Sequence, residues 1–436
     1  MDREAVMDDR QGRTLLNQSE KPTRNHYLIL GMAWAGWLFD FYDLMLLSFL
    51  LIPIKRELGL QDWELSLILG TTLAATALGG IIFGGLADRF GRKPVLSMTM
   101  LVYSAGTFGC GLSYNIWFFM ACRIITGLGV GGEWATGQTL IGETFPAKMR
   151  ARFAAMMQTG APVGILLASI VGSFVEPRFA SLFGASWGWR ACFFVSALPA
   201  VLVLFIRRNM RESDVWERRA AEKRSSAASL LNELLGEKKL RRLFTLGLIL
   251  ALADMSAYWF TYTWLPKYLY DRMGFSLAKS GLAMIVTQLA GFAGYLSYGV
   301  VADWKGRRAA YTIYSLAWAL GLLGLTWFWG AVAAWPMLHL LFMVLVGLGT
   351  GNFSGYGPIF SELFPTKIRS SAMGTAFNLS RGVQFFTPLI ITWVSSQAWA
   401  ASSGLGAGIS LGAFFAVFTG LWVWTLPETK GTVISE

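Results

Sequence analysis

The chain has 436 residues, of which 54% are hydrophobic and only 14% are charged, and its formal net charge is +11. A soluble domain carries about 25% charged residues, so this composition excludes an ordinary soluble enzyme and indicates a membrane protein. The basic residues are spread over short segments between apolar stretches. This distribution excludes the continuous basic surface that a nucleic-acid-binding protein needs.

Twelve apolar stretches follow one another along the chain, and each is close to the roughly 20 residues needed to cross a bilayer. Strands of a membrane barrel would alternate in polarity at every residue. Continuous apolar runs therefore predict helices, and the fold class is an all-α membrane protein with twelve transmembrane helices. The stretches lie near 27–51, 64–87, 94–113, 116–139, 153–175 and 188–207, and near 243–265, 279–302, 310–330, 335–357, 370–396 and 405–425.

Three motifs occur twice at nearly the same spacing. The segment GGLADRFGRK, from Gly84, is echoed 215 residues later by GVVADWKGRR, from Gly299. GETFPAKMR is echoed by SELFPTKIR at an offset of 219, and Arg-Glu-Ser at 211–213 by Pro-Glu-Thr at 427–429 at an offset of 216. Self-similarity at a fixed period indicates internal repeats, so the protein is predicted to consist of two six-helix bundles.

The repeat sets the predicted domain layout. A polar tail covers residues 1–26, the N-terminal bundle 27–207, a linker 208–242, the C-terminal bundle 243–425, and a second tail 426–436. The linker is charged and rich in Ala and Leu, so we expect amphipathic helices on the membrane surface, acting as a connector or as a regulatory segment. The first apolar run is too long for the core of a signal peptide.

The basic residues predict the orientation. If both termini are cytoplasmic, the inner segments hold 28 of the 37 Lys and Arg residues, and two more lie within spans. This bias matches the positive-inside rule, and it also offers contacts to anionic lipid headgroups. We therefore expect a plasma membrane protein, in a bacterium the inner membrane, with cytoplasmic termini. The seven outer basic residues are Lys55, Arg56, Arg178, Arg190, Lys267, Arg272 and Lys279.

Reactive or metal-binding constellations are not recognisable. The three cysteines all fall within predicted spans, and the two histidines lie far apart in the sequence. We therefore expect no metal, no cofactor and no catalytic residue. The glycine-rich run GLGVGGE, residues 127–133, lies inside an apolar span, where it is expected to permit close helix packing rather than to bind phosphate.

Ionisable residues inside a membrane are costly and are functional candidates by default. Six are predicted within spans: Asp40, Asp43, Arg123, Glu133, Asp254 and Arg381. Asp40 and Asp43 share a helix face, which suits reversible protonation, although pairing with a basic side chain would instead hold the bundle together. Glu133 corresponds to Asn352 in the repeat and could carry a proton or serve a structural role. Arg123 could attract anions or bond to Asp43.

Arg381 is the strongest candidate for a substrate contact. Its planar guanidinium matches a carboxylate in a bidentate manner, and Asn378 and Gln384 lie three residues away on either side. The alternative is an ion pair with Asp254 or Asp40.

Asp254 corresponds to Asp40 in the repeat at an offset of 214, so the two acids could face each other across a cavity. Asp254 begins a helix face that continues with Tyr258 and Tyr262. This face could form a polar cavity wall or an aromatic packing stripe.

Over nearly its whole length the chain resembles the major facilitator superfamily, through its twelve spans and the doubled Gly-x-x-x-Asp-x-x-Gly-Arg loop. LFDFYDLMLL at 38–47, the stretch from Arg123 through GLGVGGE, and WGWRACFFVSALPAVLVLFIRRNMRES at 187–213 are similar to the sialate, aromatic-acid and monocarboxylate proton symporters. Aromatic-acid members often have Asp-Gly-x-Asp in the first span, where this chain has Asp-Phe-Tyr-Asp. The resemblance implies alternating access, in which two bundles rock about a central site.

The resemblance also implies that the repeated loop takes part in gating, through Asp88, Arg92, Asp303 and Arg307. The alternative is a simple turn with positive-inside anchoring. The expected function is proton-coupled symport of a small organic anion, such as a monocarboxylate, an aromatic acid or a sialate-like acid. Uniport or efflux of a different amphipathic solute is the alternative. We expect the partners to be the anion, a proton and the lipid bilayer, and the active form to be a monomer.

Overall fold

A computed structural model describes residues 21–146, 153, 156–198, 200–201, 210, 212–213, 216–217, 236–335, 337–364 and 366–429. Within these ranges every regular element is a helix. Nine of the described helical segments are long and apolar enough to cross a membrane. Large apolar side chains such as Ile81 and Val300 are exposed on the outer surface, at 68% and 72%. This surface suits lipid, and the predicted all-α membrane fold is confirmed.

The first half contains seven α-helices and one π-helical turn among its described residues. They are α1 (Arg24–Leu58), α2 (Asp62–Phe90), α3 (Arg92–Gly111), α4 (Ile116–Thr144), α5 (Gly160–Ile170), the π-turn (Val171–Val175), α6 (Glu176–Phe183) and α7 (Ala185–Ser196). α5, the π-turn and α6 form one continuous span. Pro177 lies in its last part and cannot donate a backbone hydrogen bond, which accounts for the widened turn before it.

The second half begins at α8 (Lys238–Tyr262), inside the predicted linker, most of which lies outside the described residues. It continues with α9 (Leu265–Met273), α10 (Leu277–Lys305), α11 (Arg307–Thr326), α12 (Trp329–Ala334), α13 (Leu338–Gly349), a 3-10 segment (Thr350–Gly355), α14 (Tyr356–Leu363), α15 (Thr366–Val383), α16 (Phe386–Ser395), α17 (Leu405–Ile409) and α18 (Leu411–Trp422). Short 3-10 turns occupy Ala398–Ala400 and Val423–Thr425.

The glycine-rich run in α4 brings its backbone against α2. A Cβ atom on Gly131 would lie 1.8 Å from the carbonyl oxygen of Thr76, and one on Gly79 would lie 2.0 Å from that of Leu128. Neither position tolerates a side chain. The prediction that this run serves helix packing is confirmed.

We call the end of the bundle where α1 begins and α18 ends the terminal face, and the other end the opposite face. Near the opposite face the two halves touch through side chains. Ser66 of α2 donates to the carbonyl oxygen of Pro388 at 2.9 Å, and Arg56 of α1 donates to the hydroxyl of Tyr270 at 3.1 Å. The central site described below is therefore covered from this side.

Candidate substrate and proton site

Arg381 lies in α15 at the centre of the contact between the halves. Its side chain is only 1% exposed, and among the described residues no group accepts a hydrogen bond from Nη1 or Nη2. The guanidinium carbon lies 5.9 Å from each ring centre of Trp37, Phe41 and Phe377. Cation–π contacts stabilise the charge of the guanidinium but leave its N–H donors available for hydrogen bonds. The side chain is thus a buried cation whose terminal donors are unused by protein.

Asp40 of α1 lies between Trp37 and Phe41 in the sequence, and its carboxyl group is completely buried. Neither oxygen has a hydrogen-bond partner among the described residues. Its electrostatic neighbours are Glu133, Arg381 and Asp43. Asp40 and Arg381 therefore interact as charges across the halves without the direct hydrogen bonds of a closed ion pair.

Glu133 of α4 approaches α1 at a glycine. A Cβ atom on Gly36 would lie 1.9 Å from Oε1 of Glu133, so a side chain at this position would require the carboxyl group to move. Thr99 of α3 donates to Oε2 at 2.7 Å, while Oε1 has no partner among the described residues. Gly36 precedes Asp40 by one helical turn. The fold therefore brings Glu133 to the same side of α1 as Asp40.

Asp43 has a different environment from Asp40. Arg123 of α4 donates from Nη1 to its Oδ2 at 2.8 Å, and Thr107 of α3 donates to its Oδ1 at 2.8 Å. Nε of Arg123 also donates to Thr72, at 3.4 Å. The bond between Arg123 and Asp43, one of two alternatives that the sequence allowed, is present. Together with the contacts to Thr107 and Thr72, it connects the four helices α1 to α4 of the first half.

Asp254 of α8 is satisfied within the second half. Tyr311 of α11 donates to Oδ2 at 3.0 Å, and Asn352 donates to Oδ1 at 2.7 Å. Asn352 also donates to Ser315, at 3.2 Å. Asp254 thus belongs to a local hydrogen-bond network, because two neighbouring elements of its own half supply the donors. Arg381 forms no ion pair with Asp254 or Asp40 in the described structure.

The remaining predicted substrate contacts divide into two groups. Tyr258 lies between the halves, with its ring 6.0 Å from Phe41 and 4.8 Å from Tyr262, and its hydroxyl is buried without a partner in the described structure. Tyr262 lies further along the same face of α8. The ring and the unpartnered hydroxyl of Tyr258 therefore line the space beside Arg381.

Asn378 of α15 and Gln384, which follows the last residue of this helix, flank Arg381. A Cβ atom on Gly80 of α2 would lie 2.3 Å from Oδ1 of Asn378, so this amide fills the contact between α2 and α15. Gln384 donates to the hydroxyl of Ser256 at 3.3 Å and accepts from Thr387 at 2.7 Å. Both amides hold α15 in place, and they position the helix turn that carries Arg381.

At the terminal face, the repeated motifs of the first half come together in one cluster. Nε and Nη2 of Arg92 donate to the two carboxylate oxygens of Glu143 at 3.2 and 2.8 Å. The carboxylate of Glu212 accepts from the backbone nitrogens of Arg92 and Lys93 at 3.0 and 3.1 Å, at the start of α3. A carboxylate at this position satisfies free N–H groups and complements the helix dipole.

The second half repeats this cluster. Arg307 donates to Glu362 and Asp303, and the carboxylate of Glu428 accepts from the backbone nitrogens of Arg307 and Arg308 at 2.9 and 3.2 Å. Gly306 before α11 has a φ of 99°, a conformation that glycine adopts without strain. The described contacts lie within each bundle, because the acids come from later segments of the same half. The gating role that the resemblance implies for this loop stays a prediction. The side chain of Asp88 lies outside the described set.

Sequence reasoning missed two groups of residues. The acids Glu143, Glu212, Glu362 and Glu428 were recognised only as parts of repeats, although the offsets of 219 and 216 match the 215 between Arg92 and Arg307. This agreement was a usable signal of a shared cluster. The rings around Arg381 gave no such signal, because aromatic residues are common throughout membrane spans.

The comparison with known families agrees with this architecture. Residues 33–331 match the sequence profile of the Major Facilitator Superfamily. The chain belongs to this superfamily. Superfamily membership and the helical fold make it a membrane transporter rather than an enzyme.

Characterised relatives and a solved structure cover most of the chain. The cis,cis-muconate transport protein of Acinetobacter baylyi is 30% identical over 88% of this chain and 90% of its own length. The sialic acid transporter NanX of Escherichia coli is 29% identical over 90% and 91%. The crystal structure of a D-xylose-proton symporter superimposes with a TM-score of 0.75, at 22% identity, over 94% of this chain and 100% of that one. That likeness supports the fold.

Proposed function

We propose that this superfamily transporter carries a small organic anion together with a proton. The observation that carries the proposal is Arg381, a cation buried between the two halves whose terminal donors have no protein partner in the described structure. An uncompensated cation at this depth is costly. A substrate carboxylate accepting two parallel hydrogen bonds would remove this cost.

Asp40 explains why a proton accompanies the anion. An ionised Asp40 and a substrate carboxylate would compete for the same guanidinium and repel each other. A proton on Asp40 removes this repulsion, so the proton and the anion stabilise each other's binding. Glu133 lies next to Asp40 and offers a second carboxyl group toward the terminal face. Asp43 is bound by Arg123 and Thr107, so we assign it to holding the first half together.

The surroundings of Arg381 favour a flat substrate. The rings of Trp37, Phe41 and Phe377 surround the cation, and Tyr258 packs against Phe41, so both halves contribute aromatic surface to the site. Aromatic rings stack well on planar, unsaturated groups. A relative that transports cis,cis-muconate, an unsaturated acid, supports this choice. We therefore favour an aromatic or conjugated carboxylate over a sugar acid.

The bias of basic residues supports a membrane orientation with the terminal face in the cytoplasm. In a bacterium this is the inner membrane. Both bundles of one chain contribute to the site around Arg381 and Asp40, so the proposed active unit is the monomer.

Reconstitution into liposomes tests the proposal. Uptake of labelled nicotinate and cis,cis-muconate should rise with an inward proton gradient and collapse with a protonophore. Arg381→Ala should weaken binding by about 10- to 150-fold, the equivalent of about 1.5–3 kcal/mol for a charge-assisted contact. Arg381→Lys keeps the charge but lacks the planar fork, so binding should also weaken.

Asp40→Asn separates proton coupling from substrate binding. This variant should still exchange labelled for unlabelled substrate across the membrane at equal pH, because a neutral side chain mimics the protonated state. It should no longer accumulate substrate in response to a proton gradient. Arg178→Gln, at an exposed position, serves as the control. Unchanged affinity in Arg381→Ala, or uptake driven by sodium alone, contradicts the proposal.

A further inference from the structure

A second cavity lies at the opposite face, away from Arg381. It has a volume of about 420 Å³ and is formed by the end of α1, the turn into α2, and α9 of the second half. Three basic side chains line it, namely those of Lys55, Arg56 and Lys267. Because α1 belongs to one half and α9 to the other, the cavity spans the seam through which a central site would open to this side.

This concentration of positive charge runs against the general bias of the chain. The predicted topology assigns only seven of the 37 basic residues to the opposite face, in line with the positive-inside rule. Three of these seven line this one cavity. Basic residues that are placed where the general bias disfavours them need a local reason, and a shared cavity indicates that the reason is a ligand of opposite charge.

The acids around the cavity pair directly with two of its three cations. Asp62 lies 2.6 Å from Nζ of Lys55 and 3.7 Å from Nζ of Lys267, and Lys267 also pairs with Asp271. Arg56 makes no ion pair among the described residues; it donates to the hydroxyl of Tyr270, and its electrostatic neighbour Glu176 lies beyond ion-pair distance. Arg56 is therefore the cation of this cavity that has no direct carboxylate partner in the described structure.

We propose that this cavity is a capture site for the carboxylate of the transported anion on the face opposite the termini. Arg56 receives the carboxylate first. Lys55 and Lys267 then exchange their shared contact with Asp62 for the anion. Because Asp62 and Lys267 belong to different halves, this exchange loosens a contact that holds the seam closed. The inference rests on the proposed function in one respect, namely that the substrate is an anion arriving from this face.

Thiol labelling of the purified protein tests the capture site without using transport. Gln61 is exposed and lines the cavity, so Gln61→Cys reports the local potential and occupancy. Ser402→Cys is the matched control, because Ser402 is exposed on the same face within a stretch, 382–427, that contains no charged residue. The three native cysteines are buried, and the parent protein corrects for any reaction at them.

Two reagents of opposite charge give the readout, an anionic sulfonatoethyl and a cationic trimethylammonioethyl methanethiosulfonate. The ratio of anionic to cationic rates should be higher at Gln61→Cys than at Ser402→Cys. Arg56→Gln should lower that ratio by about two- to threefold, as expected for one unit charge several ångströms away in water. Arg56→Lys should preserve it, and high salt should abolish the difference.

Nicotinate, a planar monocarboxylate, should slow the labelling of Gln61→Cys but not that of Ser402→Cys. It should do so equally when Arg381→Ala has disabled the central site. Equal rate ratios at the two positions, no effect of Arg56→Gln, or no protection by nicotinate overturns the capture site. In liposomes, Arg56→Gln should raise the KM for nicotinate by about two- to threefold with kcat unchanged. Failure of the proposed function would appear separately, as absence of nicotinate and muconate uptake by the parent protein.

Discussion

The guanidinium of Arg123 and the carboxylate of Asp43 meet at 2.8 Å in the interior of the first half, where their side chains are 0% and 1% exposed. Asp40, only three residues earlier on the same helix, has no hydrogen-bond partner among the described residues. Two acids of the same type on the same helix face therefore have opposite environments. Asp43 is fixed by a partner within the protein, whereas Asp40 has no hydrogen-bond partner in the described structure.

This difference predicts how the first half responds to substitution. Removing one partner of a buried pair costs about 3–5 kcal/mol, because the other charge remains buried alone. Asp43→Asn and Arg123→Gln should each lower the thermal midpoint of the detergent-purified protein strongly, whereas the apolar double variant Asp43→Leu/Arg123→Met should lower it less. Size-exclusion chromatography after heating provides the measurement. A stable Asp43→Asn that has lost only proton-driven uptake would instead make Asp43 a proton carrier.

Gly36 and Glu133 provide a steric prediction. A methyl group on Gly36 would overlap the Glu133 carboxyl group, at 1.9 Å from Oε1. Because this carboxyl group ends a flexible side chain that can move, Gly36→Ala should lower the thermal midpoint only slightly but should slow transport. Gly31→Ala on the same helix is the matched control, because a Cβ atom there meets nothing within 4 Å. Adding Glu133→Ala to Gly36→Ala should restore the thermal midpoint. If Gly36→Ala alone folds and transports like the parent, the proposed contact between α1 and α4 is wrong.

The two clusters at the terminal face predict additive effects. Glu212→Gln and Glu428→Gln each weaken a carboxylate cap at a helix start, which should cost about 0.5–2 kcal/mol. Since the described contacts of the two clusters lie in separate halves, the thermal shifts of the single variants should add in the double variant. Asp303→Asn is the comparison, because Asp303 is 76% exposed and exposed ion pairs contribute little.

Turnover of the cap variants gives the second measurement. Both substitutions should slow transport while leaving substrate affinity unchanged, because neither residue touches the central site. Strongly non-additive thermal shifts would show that the two clusters are coupled across the halves.

Asp254 and Asp40 occupy corresponding positions in the repeat, yet they should behave differently. Both oxygens of Asp254 accept hydrogen bonds from its own half, so Asp254→Asn should lower stability and retain proton-driven uptake at unchanged nicotinate affinity. Asp40→Asn should instead retain stability and lose proton-driven uptake. Tyr311→Phe, which removes one donor to Asp254, should show a smaller stability loss than Asp254→Asn. A loss of nicotinate affinity in Asp254→Asn would place Asp254 in the substrate site after all.

The sequence by itself indicated that the protein lies in a membrane, that its spans are helices and that the chain consists of two related halves. Continuous apolar runs of this length form α-helices in lipid, because a helix bonds its backbone N–H and C=O groups within the segment. The repeated motifs predict the two bundles, and the basic loops predict their orientation in the membrane. Intramembrane charge also limits the candidates to few residues, and Arg381 and Asp40 were among them for that reason alone.

Only the tertiary structure decided which charges belong together. Asp40 and Asp43 are equivalent in a sequence pattern, and their difference arises because Arg123 reaches only Asp43, while Gly36 admits Glu133 beside Asp40. Arg381 comes from a helix more than 300 positions away, so its neighbours depend on how the halves meet. The hydrogen bonds that Tyr311 and Asn352 donate to Asp254 depend on packing in the same way. Helix formation in lipid is local, whereas the pairing of buried charges depends on packing between distant segments.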